Sequence, residues 1–201
     1  MINYKKGLRA LDVGTGTGKC MTALSKAGFD VYGIEPSKKF YQRAIECMDA
    51  NVNQLSLASI EEAEFPNDFF DFITLNAVLE HLPNPSDSIA KVIKWVKPDG
   101  VIRVEVPSSH WLMAEMAKFY YRMIGTRYVV NLSPMHKPYH LYEFALESFK
   151  MNGEINHYSI EDVEYFVCCT YTPSPLDFLL KFCMEYTNSG MEICVWLRKR
   201  P

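Results

Sequence analysis

The residues best suited to chemistry begin with one short run, Gly14-Thr15-Gly16-Thr17-Gly18, which follows the apolar stretch Leu8-Arg9-Ala10-Leu11-Asp12-Val13 and opens a segment of helical character. Glycines let a backbone turn with positive φ and approach a ligand closely. Further on, Glu35 ends a second apolar stretch, in the place where doubly wound folds hold a ribose. A carboxylate suits that task because two adjacent hydroxyls can donate to its two oxygens. Other glycine loops fit less well. A phosphate P-loop needs Gly where Val13 stands and Ser or Thr where Cys20 stands. A dinucleotide fingerprint places its third glycine one residue later than Gly18, which disfavours a nicotinamide oxidoreductase. What remains is D-x-G-x-G-x-G starting at Asp12. The bland alternative is a tight turn with Glu35 as a solvated strand end; loop, spacing and acid together weigh against it.

A second group is Glu80-His81, just before Pro83. A carboxylate beside an imidazole can serve as a metal pair or an acid/base unit. Two ligands alone rarely define a metal site, so no metal is expected, and hydrogen bonds that brace the loop are the simpler role. Candidate bases or anchors for an acceptor are His110, His136, Tyr139 and His140. For each of these, ordinary loop packing competes with catalysis.

Short apolar runs alternate with helix-like segments from Leu8 to Val106, the pattern of parallel strands joined by helical crossovers. The strands are expected at Leu8–Val13, Val31–Glu35, Gln54–Leu57, Phe70–Leu75 and Val101–Val106, and the helices near Gly18–Lys26, Lys38–Asp49 and Pro85–Val96. Asn84 can cap the third helix and Pro85 suits its first turn. Ile89, Val92, Ile93 and Val96 share one face, and Lys97-Pro98-Asp99-Gly100 stops it. After Val106 an aromatic-rich insertion at about 107–140 breaks the rhythm. A helix is expected at Leu141–Asn152 with Gly153 as its stop, a strand within Glu154–Cys169, and a closing strand at Met191–Arg198.

The whole chain, 1–201, reads as one domain. A net charge of -3 gives no basic field for a polyphosphate backbone, so nucleic acid is not the expected partner. No run approaches the ~18 apolar residues of an integral membrane segment. Met1–Lys6 leads into a core strand rather than a cleavable signal, so the expected location is cytoplasmic. The six cysteines (Cys20, Cys47, Cys168, Cys169, Cys183 and Cys194) form no C-x-x-C pair and are expected as buried free thiols.

Leu11 to Gly18, Phe29-Asp30-Val31-Tyr32-Gly33-Ile34-Glu35-Pro36, and Phe70 to Leu82 together resemble the class I methyltransferase family. Within it the chain is most similar to the branch of ubiquinone-type O-methyltransferases and small-molecule enzymes. Lys97-Pro98-Asp99-Gly100 resembles that branch's K-P-G-G turn, and His140-Leu141-Tyr142-Glu143-Phe144 its H-L-x-x-F segment. The resemblance implies an α/β, Rossmann-like three-layer sandwich, with a mostly parallel seven-stranded sheet and an antiparallel last strand. It implies S-adenosylmethionine as cofactor. Asp12, Gly14, Thr15, Gly16 and Gly18 would line its methionine part, Glu35 and Pro36 its ribose, Ser59 and Ile60 its adenine, with Asn76 and Ala77 at the end of the fourth strand. It places His140 near the acceptor. In ubiquinone-type enzymes a metal role for Glu80-His81 would need another carboxylate three residues before the Glu, where this chain has Ala77.

The expected activity is methyl transfer to an O, N or C atom of a small, partly apolar molecule, with His110 and His140 as candidate catalytic residues. The alternative is a binding or scaffold protein of the same fold without turnover. In the insertion, Leu112, Met116, Phe119 and Met123 make one helical stripe. The simplest expectation is that it packs on the domain; a substrate lid, a homodimer contact, or a membrane-surface helix aided by Lys118, Arg122 and Arg127 are the alternatives. With seven residues ahead of the first strand, the cofactor site is expected to be open or covered by another chain.

Overall fold

The computed structural model describes residues 7–48, 54–127, 139–167, 170 and 172–200. The elements are β1 (Arg9–Val13), α1 (Lys19–Lys26), β2 (Asp30–Ile34), α2 (Lys38–Cys47), β3 (Leu55–Ser56), β4 (Phe70–Asn76), α3 (Pro85–Trp95), β5 (Val96–Pro107), α4 (Leu112–Met123), α5 (Leu146–Asn156), β6 (Tyr158–Phe166), α6 (Ser174–Thr187) and β7 (Glu192–Lys199). A short 3-10 turn, Leu79–His81, joins β4 to α3. The sheet runs β3-β2-β1-β4-β5-β7-β6. All strands are parallel except β7, which pairs antiparallel with both β5 and β6. This is the α/β, mostly parallel sheet with a reversed last strand that the sequence implied.

Strand alternation divides the core. Leu11, Val13 and Ile34 pack with Ile89, Val92 and Ile93 of α3 and Phe149 of α5, while Val31 meets Met21 of α1 and Ala44 of α2 on the opposite face. Two helix layers thus sandwich the sheet. The start of α3 is as expected: the Asn84 side chain accepts from the Asp87 amide and Pro85 occupies the first turn.

Several boundaries differ. Chain 140–145 is not helical, because its backbone is spent elsewhere: the Leu141 amide donates to the Glu80 carbonyl at 2.7 Å, and the Ser109 amide to the Phe144 carbonyl at 2.9 Å. The helix therefore begins at Leu146, where Ser148 Oγ accepts from the Ala145 amide. Gly153 lies inside it rather than ending it, and His157 in the left-handed conformation closes the helix. Strand β5 starts at Val96, so Lys97–Gly100 belong to an irregular strand start. Of the described cysteines, Cys194 is buried, Cys20 and Cys183 are half-buried and Cys47 is exposed, so the expectation of buried thiols holds fully only at Cys194. His136, Cys168 and Cys169 lie outside the described residues. The stripe on α4 does not pack on the domain: Met116, Phe119 and Met123 are 48%, 66% and 72% exposed. Helix α6, which the sequence reading did not anticipate, is apolar on two sides. It buries Leu180 and Met184 while exposing Phe178, Phe182 and Tyr186.

The role of Gly153 is testable. Replacing a mid-helix glycine with alanine ordinarily stabilises by about 1 kcal/mol. Here an added Cβ would sit 2.8 Å from the Tyr158 carbonyl oxygen, so the sign should reverse. Gly153→Ala is expected to lose roughly 1 kcal/mol or more in urea denaturation, and a gain would refute the packing argument.

Candidate active site

The glycine loop is shaped by three positive-φ residues, Gly14 (71°), Gly16 (56°) and Gly18 (83°). Gly14 is also sterically required, since a Cβ there would meet Val78 Cγ2 at 2.6 Å. At Gly16 the space ahead is open, with only the Gly14 carbonyl as near as 4.0 Å. The Gly14 amide donates to the Ile34 carbonyl at 2.9 Å, fastening the loop to the end of β2.

Glu35 is not the solvated strand end that the bland reading supposed. It is 5% exposed, and its oxygens accept from the Gly16 amide and the Ser37 amide, each at 2.8 Å. The carboxylate thereby ties the glycine loop to the first turn of α2. An ionised carboxylate has about four lone-pair sites, so two remain for a ligand's hydroxyls.

A cavity of about 690 Å³ lies against this knot, within the range of small-molecule sites. Of the residues expected to hold a cofactor, Gly14, Gly16, Glu35, Pro36, Ser59, Ile60 and Ala77 line it. Ser59 spends its hydroxyl locally, accepting from the Glu62 amide while the Glu62 carboxylate accepts from the Ser59 amide. Asp12, Thr15, Gly18 and Asn76 are not in the lining. Thr15 Oγ donates to the Asp12 carbonyl and Gly18 precedes α1 with Met48 beside it. Asn76 donates to Cys20 Sγ and accepts from Arg103, which pairs with Glu105. These four make their contacts within the loop and the neighbouring strands rather than on the cavity wall. The cavity also uses Phe40, Val78, His81 and Tyr139, which sequence reasoning did not assign to the cofactor. Phe40 had one signal: an aromatic residue exposed in the first turn of a helix that begins just after the acidic strand end.

Where His81 and Tyr139 line the cavity, the segment 139–145 runs beside the turn after β4, the Leu141 amide donating to the Glu80 carbonyl. Ala77 adopts a left-handed φ of 53° there, and its amide donates to the Glu105 carbonyl. The His81 and His140 rings meet edge-on, 4.8 Å between centroids, and Glu80 is fully buried beside them. Burial raises the Glu80 carboxyl above the ordinary carboxylate range. His110 is exposed on the turn after β5, and neither it nor His140 lines the cavity; His140 reaches it only through its contact with His81.

Residues 3–163 match the family described as a methyltransferase domain, and the chain belongs to that family. A ubiquinone biosynthesis O-methyltransferase of Methylococcus capsulatus is 29% identical over 133 residues, covering 64% of this chain and 53% of that protein. The one of Bordetella avium is 28% identical over 159 residues, covering 78% and 63%. The chain spans about half to two thirds of the length of these relatives. Among solved structures, a protein described as a putative S-adenosylmethionine dependent methyltransferase from Listeria monocytogenes shares the fold. Its TM-score is 0.71, with 18% identity and coverage of 98% of this chain and 92% of that one. A SAM-dependent methyltransferase from Methanosarcina mazei matches at TM-score 0.70 and 16% identity, over 98% and 94%.

Asp12 gives a pH test of the loop's foundation. Its Oδ1 accepts from Thr74 Oγ at 2.7 Å, Oδ2 has no partner among the described residues, and burial pushes the carboxyl up to about 6. The unfolded value is about 3.9. With the folded value raised, the contribution to stability is full below about pH 4 and is lost as pH rises through about 6. Asp12→Asn keeps the acceptor for Thr74 and removes the charge. Its stability relative to wild type should improve by roughly 2–3 kcal/mol between pH 4 and pH 8 in urea titrations; a pH-independent difference would contradict the assignment.

Proposed function

We propose that the protein transfers a methyl group from S-adenosylmethionine to an O, N or C atom of a small, partly apolar acceptor. The observation that carries this reading is the cavity bounded by Gly16, Glu35 and Ala77. One end offers a buried carboxylate with spare lone pairs, and its walls at Phe40, Ala58 and Ile60 are apolar. These residues fit the cofactor: Glu35 for the ribose hydroxyls, the apolar walls for adenine, and the open face of Gly16 for close approach. The sulfonium methyl is already activated, so what the chain must do is align the acceptor and keep water out. The part of the cavity lined by His81 and Tyr139 is the proposed acceptor side, with His140, which packs against the His81 ring, the favoured anchor. The outward stripe of α4 suits a lid or a contact with a second copy.

S-adenosylhomocysteine, the product, should stabilise the fold. At ~100 times its dissociation constant a ligand contributes about 2.7 kcal/mol, which for a chain of this size is a rise in Tm of roughly 5–10 °C. Gly16→Val, which directs a branched side chain into the open space at a strained φ, should stay folded and lose most of that shift. No shift at millimolar ligand, with NAD producing one, would overturn the cofactor; stabilisation without turnover on any acceptor would overturn the enzyme reading in favour of a binding protein.

A further inference from the structure

Two helices present apolar faces that no described residue covers. Helix α4 has 12 residues and buries only Ala114, although a helix of that length is marginal in water unless one face is packed. Helix α6 buries Leu180 and Met184, while Phe178, Phe182 and Tyr186 lie on its opposite face. The two helices meet at one end, where the Leu112 amide donates to the Ser189 carbonyl at 3.1 Å. Five rings, Phe119, Tyr120, Phe178, Phe182 and Tyr186, are 66%, 60%, 75%, 60% and 83% exposed. At about 200 Å² for each ring when fully open, they leave roughly 700 Å² in water, and Met123 and Leu179 add to it. Monomers rarely expose so much, and it approaches the ~800 Å² that each partner buries in an ordinary dimer.

Charge decides which occupant fits. Lys118 is paired with Glu115 and Lys181 with Asp177. Arg122, Arg127 and Glu185 form no ion pair among the described residues. The charge left over is therefore positive on and just after α4 and negative on α6. A lipid surface suits a helix with Lys or Arg beside its apolar stripe. Helix α4 meets that requirement, but α6 carries Glu185 there and would meet anionic headgroups with a like charge. A second copy of the chain holds both halves of the match. In a twofold contact each patch faces the other's complement, so the opposite charges of α4 and α6 meet twice. The lengths agree as well: at 12 and 14 residues, the helices extend about 18 Å and about 21 Å.

We propose that the protein forms a twofold-symmetric dimer in which the outward face of α4 in one copy packs on the outward face of α6 in its partner. The α4 stripe is then an interface rather than a lid. Such a dimer forms whether or not the cavity holds S-adenosylmethionine, so it stands apart from the methyltransferase reading.

Sedimentation velocity on the full chain, without ligand, tests this. At about 10 μM the chain should sediment as a dimer. Phe119→Glu on α4 and Phe182→Glu on α6 both alter exposed side chains, so circular dichroism should show the native fold. Each should weaken the dimer by roughly thirtyfold or more, since buried aromatic anchors carry most of an interface's energy. If Phe182→Glu does not fold, Tyr186→Glu on the same face takes its place. Arg122→Glu should weaken association by about three- to tenfold, and adding Glu185→Arg should recover most of that loss, because the two signs are then exchanged together. A wild type that is monomeric at about 100 μM, or a dimer that folded Phe119→Glu or folded Phe182→Glu leaves intact, overturns the interface. A monomeric chain that floats with phosphatidylglycerol vesicles overturns it in favour of a lipid surface. None of these readouts involves S-adenosylhomocysteine, so a dimer that does not respond to that ligand would overturn the methyltransferase reading and leave the interface standing.

Discussion

A single buried carboxylate organises the edge of the sheet that bears the cavity. Glu35 accepts from the amides of Gly16 and Ser37, and these charge-assisted bonds offset the desolvation of a group that is almost wholly shielded from water. They also join three pieces of chain that local propensity would leave independent: the loop after β1, the end of β2 and the start of α2. The glycines make the loop's positive φ values accessible, and Glu35 selects one arrangement among those the glycines permit. The cavity wall at the glycine loop is consequently held in one arrangement.

The sheet supplies the other constraint. Strands β1 and β4 are adjacent and parallel, so the glycine loop and the Ala77 turn leave the same edge, where Gly14 packs against Val78 and both turns line the cavity. Strand β7 reverses between β5 and β6, and the Ser108 amide donates to the Met191 carbonyl at the junction of β5 with β7. Just beyond, the segment that ends at Phe144 is pinned to Ser108–Ser109 and to Glu80. That pinning carries Tyr139 to the cavity wall and His140 against the His81 ring. Two parts of the cavity wall are thus fixed by different physics, a buried charge at Glu35 and backbone pairing of an extended segment at Tyr139.

This difference explains what the sequence discloses. The glycine loop, Glu35 and the crossover pattern are written in contiguous residues, and the Asn84–Pro85 helix start is a local signal. The partnership of His140 with Glu80 and His81 is set by the extended run from Leu141 to Phe144, whose backbone bonds to remote elements outweigh its helical spacing. Gly153 reads as a stop because glycine commonly ends helices; its actual constraint is the nearness of Tyr158. Helix α6 escapes a periodicity reading because apolar residues occupy both its buried and its exposed faces. Asp12 and Asn76 belong to the motif region yet make their contacts away from the cavity wall, where their partners are Thr74, Cys20 and Arg103.

The central claim, that Glu35 both sets the loop and reads a ribose, is tested most directly by calorimetric discrimination between S-adenosylhomocysteine and its analogue lacking the ribose hydroxyls. Comparing the two ligands within one protein cancels any general loosening of the loop. Hydrogen bonds to a charged acceptor are worth ~1.5–3 kcal/mol. Wild type should therefore prefer the hydroxylated ligand by roughly ten- to a hundredfold, Glu35→Gln should keep part of that preference, and folded Glu35→Ala should bind both ligands alike. Equal discrimination by wild type and Glu35→Ala would mean that Glu35 is only a structural knot and that another group reads the sugar.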